Sequence, residues 1–145
     1  MSKIVCDKNK CSGCLACVVA CMDQHYDETA VDAVSPRIHE KYTSPRTGLV
    51  KYVTKCCVHC EDAPCINACP HNVFVKNENG FVIINDITKC DGCKKCLEVC
   101  QYDAVRFDKN GKVVKCDGCA ERVKHGLEPA CVRACPTGAL VVTAE

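Results

Sequence analysis

Residues 11–21 read CSGCLACVVAC, and residues 90–100 repeat the same cysteine spacing as CDGCKKCLEVC. Two further quartets keep the pattern with one gap lengthened, to four residues in one and to eleven in the other. A pattern that recurs along a whole chain is the first guide to its architecture. In chain order the quartets are Cys11, Cys14, Cys17 and Cys21; Cys57, Cys60, Cys65 and Cys69; Cys90, Cys93, Cys96 and Cys100; and Cys116, Cys119, Cys131 and Cys135.

Cysteine content limits the class of protein. Eighteen cysteines in 145 residues indicate either a disulfide scaffold or a metal protein. The first ten residues contain no apolar signal segment, and no apolar run approaches the roughly 20 residues of a membrane helix. We therefore expect a soluble, cytoplasmic chain without membrane insertion, whose reduced thiols bind metal. With 19 basic and 18 acidic side chains and no block of like charge, no nucleic-acid partner is expected.

The spacing within a quartet is typical of [4Fe–4S] ligation. Three cysteines in a tight loop can wrap one cubane, while the fourth ligates the other cluster of a pair. Four quartets therefore predict four [4Fe–4S] clusters. A structural zinc site needs only two C-x2-C pairs, and cysteines this close in sequence rarely reach disulfide geometry. Sixteen thiolates and four oxidised cluster cores would move the net charge from +1 to about −7, which makes the lysines counter-charges.

Short strands and helices are predicted between the quartets. Segments 73–84 and 104–114, each with an Asn-Gly turn, read as hairpins. The apolar runs 3–5 and 139–142 have no local partner, so we expect them to pair with each other. Helices are predicted at 15–24 and 94–99.

The pairing of the chain ends decides the predicted fold. Only the first hairpin separates quartets two and three, which form one two-cluster ferredoxin and leave quartets one and four to each other. The predicted class is α+β, with two bacterial-ferredoxin-like subdomains, the second inserted in the first, each with short hairpins and short helices around two [4Fe–4S] clusters. Residues 1–50 plus 105–145 form the outer subdomain, and residues 51–104 the inner one. The alternative pairs quartet one with two and three with four, and it leaves the terminal strands unexplained.

These motifs give the chain a family resemblance. With four quartets in this order and the ending CPTGA at 135–139, segment 10–142 resembles the four-cluster iron–sulfur subunits of the dimethyl sulfoxide reductase and formate dehydrogenase type. It is similar also to small subunits that serve carbon monoxide dehydrogenase and tungsten aldehyde oxidoreductases. The resemblance implies crosswise ligation between quartets. The implied ligand sets are Cys11, Cys14, Cys17 and Cys135; Cys21, Cys116, Cys119 and Cys131; Cys57, Cys60, Cys65 and Cys100; and Cys69, Cys90, Cys93 and Cys96.

Electron transfer is the function that the resemblance implies. The implied partners are a catalytic oxidoreductase subunit of the molybdenum- or tungsten-pterin type and a further redox subunit or soluble carrier. Every predicted cluster iron has a full thiolate set, and the sequence holds no phosphate loop or Rossmann glycine pattern, so we expect a non-catalytic subunit. The alternatives are a free-standing polyferredoxin and an electron carrier for carbon monoxide dehydrogenase or hydrogenase.

Three features lie outside the ligand sets. Cys6 and Cys56 are interpreted as ordinary buried cysteines, with a substitute ligand or a redox thiol as the alternative. His59 is expected to pack beside its loop, with a hydrogen bond to sulfur as the alternative. The cysteine-free segment 27–55 is predicted as a long loop that either docks a partner subunit or is solvated. Its basic residues for an acidic partner surface are Arg37, Lys41, Arg46 and Lys51.

Overall fold

Short strands and short helices alternate along the described part of the chain. The computed structural model describes residues 2–27, 29 and 32–144. Its strands are β1 (Ser2–Cys6), β2 (Ile38–Thr43), β3 (Val50–Lys55), β4 (Phe74–Lys76), β5 (Val82–Ile84), β6 (Arg106–Phe107), β7 (Val113–Val114) and β8 (Leu140–Ala144). Its helices are α1 (Ala16–His25), α2 (Pro64–Ala68), α3 (Lys95–Glu98), α4 (Ala120–Lys124) and α5 (Ala130–Ala134), with a 3-10 turn at Ile87–Lys89. The chain is a small mixed helix and strand structure.

The two ends of the chain pair with each other, so this prediction is confirmed. Strands β1 and β8 are antiparallel, with Ile4 opposite Val142 and Cys6 opposite Leu140. The ladder satisfies backbone groups that neither segment could satisfy locally. Beneath it, Leu140 packs with the cysteines Cys17 and Cys131 in a small apolar core. The first and fourth quartets therefore contribute to the same core.

The two inner hairpins are also confirmed, with strands shorter than predicted. Strand β4 pairs with β5, and β6 pairs with β7. In the first turn the Asn77 amide donates to the Phe81 carbonyl at 2.9 Å, and Gly80 takes the left-handed φ of 80°. Both hairpins supply apolar side chains to one core, which includes Val73, Val82 and Val113.

Hairpin β6–β7 bears on the proposed division into subdomains. Val105 and Val113 are 2% and 3% exposed and pack with the inner core, although the predicted boundary assigns residues from 105 onward to the outer subdomain. The division itself stays a prediction. This packing favours moving its second boundary from residue 104 to the segment between β7 and Cys116.

The long loop predicted for segment 27–55 is wrong over much of its length. Strands β2 and β3 form a six-pair antiparallel hairpin across a turn in which Ser44 donates to the Leu49 carbonyl at 2.8 Å. Ion pairing of Lys55 Nζ with Glu40 at 2.6 Å and stacking of His39 on Tyr52 join its two strands. The prolines at 36 and 45 obscured it, yet both lie outside the strands, where proline is tolerated. Residues 28, 30 and 31 of this segment lie outside the described residues.

The helices are short because each follows a tight cysteine loop. The predicted helices at 15–24 and 94–99 are confirmed as α1 and α3. Both begin directly after a left-handed residue, Leu15 with φ 65° and Lys94 with φ 63°. No helix within the described residues combines the length and apolarity needed to cross a bilayer.

Candidate metal centres

The four cysteine loops share one backbone device. In each C-x2-C pair the residue before the second cysteine is left-handed: Gly13, His59, Gly92 and Gly118 have φ values between 53° and 75°. This conformation turns the backbone sharply, which lets two cysteines approach one centre. A Cβ at Gly13 would lie 2.6 Å from the Tyr52 ring, so this loop also needs glycine for close packing. The sequence repeat is therefore a structural repeat.

Backbone amides point at several of the sulfur atoms. The His59 amide donates to Cys57 Sγ at 3.3 Å, and the Gly118 amide donates to Cys116 Sγ at the same distance. Burial raises the pKa of the Cys135 thiol, but amide donors, with Leu140 the strongest, outweigh burial and lower it. Hydrogen bonds of this kind stabilise thiolates, the form of cysteine that binds iron.

The first group of cysteines combines the first quartet with the last cysteine of the sequence. Cys11, Cys14, Cys17 and Cys135 line one cavity, and Cys6 lies at its margin. Cys135 reaches this position because β8, which begins five residues later, pairs with β1. Three cysteines of the loop and one from a distant segment thus face one space.

The second group is the most deeply buried. Cys21, Cys116, Cys119 and Cys131 are each less than 9% exposed. Burial together with the charges of Cys131 and Cys119 raises the pKa of the Cys21 thiol to about 12. Burial likewise raises the pKa of Cys131 to about 11. Thiols packed this closely ionise only beside a strong positive charge, which a metal cluster supplies.

The third and fourth groups belong to the inner core. Cys57, Cys60, Cys65 and Cys100 line a cavity of about 570 Å³. Cys69, Cys90, Cys93 and Cys96 line another. In each, one cysteine comes from the neighbouring quartet: Cys100 joins the second quartet's loop, and Cys69 joins the third's.

The two cysteines outside the quartets each neighbour one of these groups. Cys56 is 4% exposed, as expected for a buried cysteine, and a hydrogen bond with Cys116 is the largest influence on its pKa, which is lowered to about 6. Cys6 is only half-buried and acts on the pKa of Cys11, which burial raises first. Both therefore lie beside the outer groups.

His59 packs as predicted, and His25 takes a position that the sequence interpretation missed. The Val82 amide donates to His59 Nδ1 at 3.0 Å, and the ring tilts against Phe81. Burial lowers the pKa of His59 to about 3, so the ring is neutral. His25 Nε2 lies 3.6 Å from Cys119 Sγ and 3.6 Å from an Asp117 carboxylate oxygen. Its sequence signal is the spacing of four from Cys21, which places both on one face of α1.

Two buried cations are the other residues that sequence reasoning missed. Lys115 is 6% exposed, and its Nζ donates to the carbonyls of Val82 and Cys116. Arg37, expected on a docking surface, is 3% exposed and faces the outer groups instead. Its assignment to an exposed acidic-partner surface is therefore wrong, because the start of β2 carries it inward.

The donor chemistry fits iron–sulfur clusters. Each group offers four thiols and amide donors around a sheltered space, which matches the all-thiolate ligation of a [4Fe–4S] cubane. Histidine contributes no ligand to any of the four groups as the sequence defines them. Buried cysteine thiols with buried cations nearby suit an anionic cofactor.

Comparison with known proteins defines the class. Residues 49–145 match the family model described as a 4Fe-4S dicluster domain. The chain therefore belongs to this family of iron–sulfur proteins, which confirms the [4Fe–4S] cofactor and the ferredoxin-type domain; its eighteen cysteines are consistent with four clusters.

The protein is also similar over most of its length to subunits of reductase complexes. It is 38% identical to the B subunit of the anaerobic dimethyl sulfoxide reductase of Haemophilus influenzae, over 92% of this chain and 69% of that protein. It is 36% identical to the B subunit of the polysulfide reductase of Wolinella succinogenes, over 92% of this chain and 71% of that protein. The same values describe its match to the thiosulfate reductase electron transfer subunit PhsB of Salmonella typhi. The predicted resemblance is confirmed, and these names are those of electron-transfer rather than catalytic subunits.

Proposed function

We propose that this chain relays single electrons between a catalytic oxidoreductase subunit of the molybdenum- or tungsten-pterin type and another redox subunit or soluble carrier. The observation that carries the proposal is the arrangement of sixteen cysteines in four groups of four, each offering one cubane its full ligand set. The names of the relatives support the assembly with a reductase. A full thiolate set leaves no open iron for substrate, so the chain carries electrons without catalysing the reaction.

Each group is proposed to hold one [4Fe–4S] cluster, in the four crosswise sets that the family resemblance implies. When bound, the clusters supply one-electron redox chemistry over a wide range of potentials. The chain's contribution is to hold four such groups at fixed positions, to donate amide hydrogen bonds to their sulfurs and to exclude water from the second group.

The groups are proposed to form a line in the order first, second, third, fourth. Cys17 and Cys131 share one core, which supports adjacency of the first and second groups. Lys115 lines the third cavity and donates to the Cys116 carbonyl beside the second group, which supports the middle step. Among the predicted ligands only Cys14 and Cys93 are exposed, one in the first group and one in the fourth. Electrons would therefore pass to partners at these two ends.

Hairpin β2–β3 is proposed to dock a partner subunit at the first end. It lies beside the first cysteine loop, because Lys51 Nζ donates to the Asn9 side chain at 2.8 Å and Tyr52 packs against Gly13. Its tip exposes Leu49 by 65% and Tyr42 by 52%, which a subunit interface would cover. Lys41, Arg46 and Lys51 are exposed and add a basic rim, whereas Arg37 takes no part.

A cytoplasmic location is proposed as well. The support is chemical: eighteen free cysteines with regular spacing suit a reducing compartment. Cell fractionation with antibody detection tests it, and recovery of the protein in a periplasmic fraction would contradict it.

Purification of a tagged chain from its own cells tests the function. The proposal predicts co-purification with a large subunit, molybdenum or tungsten in the complex, and about sixteen iron and sixteen sulfide per copy of this chain. Nickel instead of molybdenum or tungsten would favour a carbon monoxide dehydrogenase or hydrogenase partner. A fully loaded chain that elutes alone under mild conditions would favour a free-standing polyferredoxin.

A further inference from the structure

Arg37 is the most unusual polar side chain of the structure. It follows Pro36 directly before β2, where its amide donates to the Ser35 hydroxyl oxygen at 3.1 Å. Its side chain is 97% buried, since only 3% of the residue is exposed. None of its three guanidinium nitrogens has a hydrogen-bond partner among the described residues. A buried guanidinium carries five N–H donors and a permanent charge, and leaving all of them unmet is costly.

The groups around Arg37 are sulfurs rather than carboxylates. Burial acts to lower the pKa of the guanidinium, but the charges of Cys56, Cys131 and Cys17 outweigh burial and raise it. Arg37 in turn lowers the pKa of Cys21 and Cys131 against the raising effect of their burial. These neighbours come from two groups: Cys17 from the first, Cys21 and Cys131 from the second. Arg37 therefore lies where it can serve both.

Arginine suits this position for reasons of geometry. A planar fork can donate to two acceptors at once, and guanidinium is more weakly hydrated than ammonium, so its burial costs less. Cluster sulfurs are acceptors, and hydrogen bonds to them are one of the protein's means of setting a cluster's potential. A positive charge beside a cluster also favours the reduced form, which is one unit more negative.

We propose that Arg37 is a positioning residue of the outer pair, which donates hydrogen bonds to sulfurs of the clusters held by the first and second groups and raises the potential of both. The inference rests on the proposed cluster sites and not on the identity of any partner. Its consequence is that electrons reside preferentially in the outer half of the line. The third and fourth groups have no corresponding contact with Arg37 in its described surroundings.

The test compares three variants of the full chain. Arg37→Lys keeps the charge and loses the fork, Arg37→Met removes both, and Arg133→Met is the control. Arg133 lies on α5 between Cys131 and Cys135 but is exposed, so water screens its charge. Iron and sulfide content is measured first. Redox titration followed by electron paramagnetic resonance then gives the midpoint potentials, with Cys21→Ser and Cys93→Ser used to assign the outer and inner signals.

We expect Arg37→Met to lower the outer potentials, with at least a tenfold shift of the electron distribution toward the inner pair. For a one-electron step this factor corresponds to about 59 mV. The inner potentials stay in place, Arg37→Lys falls between wild type and Arg37→Met, and Arg133→Met matches wild type. Loss of about eight iron from Arg37→Met, with full content in Arg37→Lys, would also support the proposal, because the charge would then be required to hold the outer pair.

Several results would overturn it. Outer potentials unchanged in a fully loaded Arg37→Met would show that the guanidinium does not act on them. Equal shifts of all four potentials, or loss of iron from both Arg37 variants alike, would indicate a general structural role. A wild-type protein that binds no iron–sulfur clusters would instead contradict the proposed function, so the two failures are distinguishable.

Discussion

The outer and inner halves of this protein use the same cysteine loop in different settings. The inner groups and their core lie within the continuous segment from Cys57 to Val113. The outer groups combine segments from both ends of the sequence, joined by the β1–β8 ladder, and add Cys6, Cys56 and Arg37 beside the ligands. The difference shows that local spacing is enough to form a loop, whereas long-range packing decides its surroundings.

Removal of iron should have the largest effect, and should affect both halves. The chain has three Phe, four Tyr and no Trp, and its buried cores include many of the cysteines. Since binding energy of a structural metal is also folding energy, we expect the apoprotein to be largely unfolded. Far-UV circular dichroism after complete chelation measures this. Retention of the holoprotein spectrum, with near-UV signals intact, would show that the polypeptide folds on its own.

Matched core truncations should separate the halves. Leu140 and Val82 are 3% and 1% exposed, one in the outer core and one in the inner. Leu140→Ala should cost about 3 kcal/mol and Val82→Ala roughly 2 kcal/mol of unfolding free energy. Mild chelation should then release outer iron first from Leu140→Ala and inner iron first from Val82→Ala. Iron release in the same order from both variants would mean that the two halves do not unfold separately.

The cysteine repeat predicted much of this fold, because the spacing C-x2-C encodes a local loop that any folded context preserves. The two inner hairpins and the terminal pairing were also predictable, since apolar runs flank Asn-Gly turns or lack a neighbour. Hairpin β2–β3 was not, because Ile38–Thr43 is mostly polar and exposed and carries little alternation. The burial of Arg37 has no local signal at all, since distant segments create the space that it fills.

A pair of glycine variants gives a smaller and more local test of the outer half. Gly13 and Gly48 have nearly equal φ values of 73° and 70°, but a Cβ would meet the Tyr52 ring at Gly13 and open space at Gly48. Gly48→Ala should cost about 1 kcal/mol from the backbone alone. Gly13→Ala adds overpacking and should cost about 2 to 3 kcal/mol. Thermal unfolding of the loaded proteins measures both, and equal costs would mean that the Tyr52 contact is unimportant.

Crosswise ligation is the central claim, and Cys21→Ser tests it most directly. Cys21 belongs to the first loop in sequence but lies with Cys119 and Cys131 in the structure. The paramagnetic resonance spectrum of reduced Cys21→Ser should therefore match that of Cys119→Ser and differ from that of Cys14→Ser. A Cys21→Ser spectrum that matches Cys14→Ser instead would show that each loop binds its own cluster, and would contradict this account.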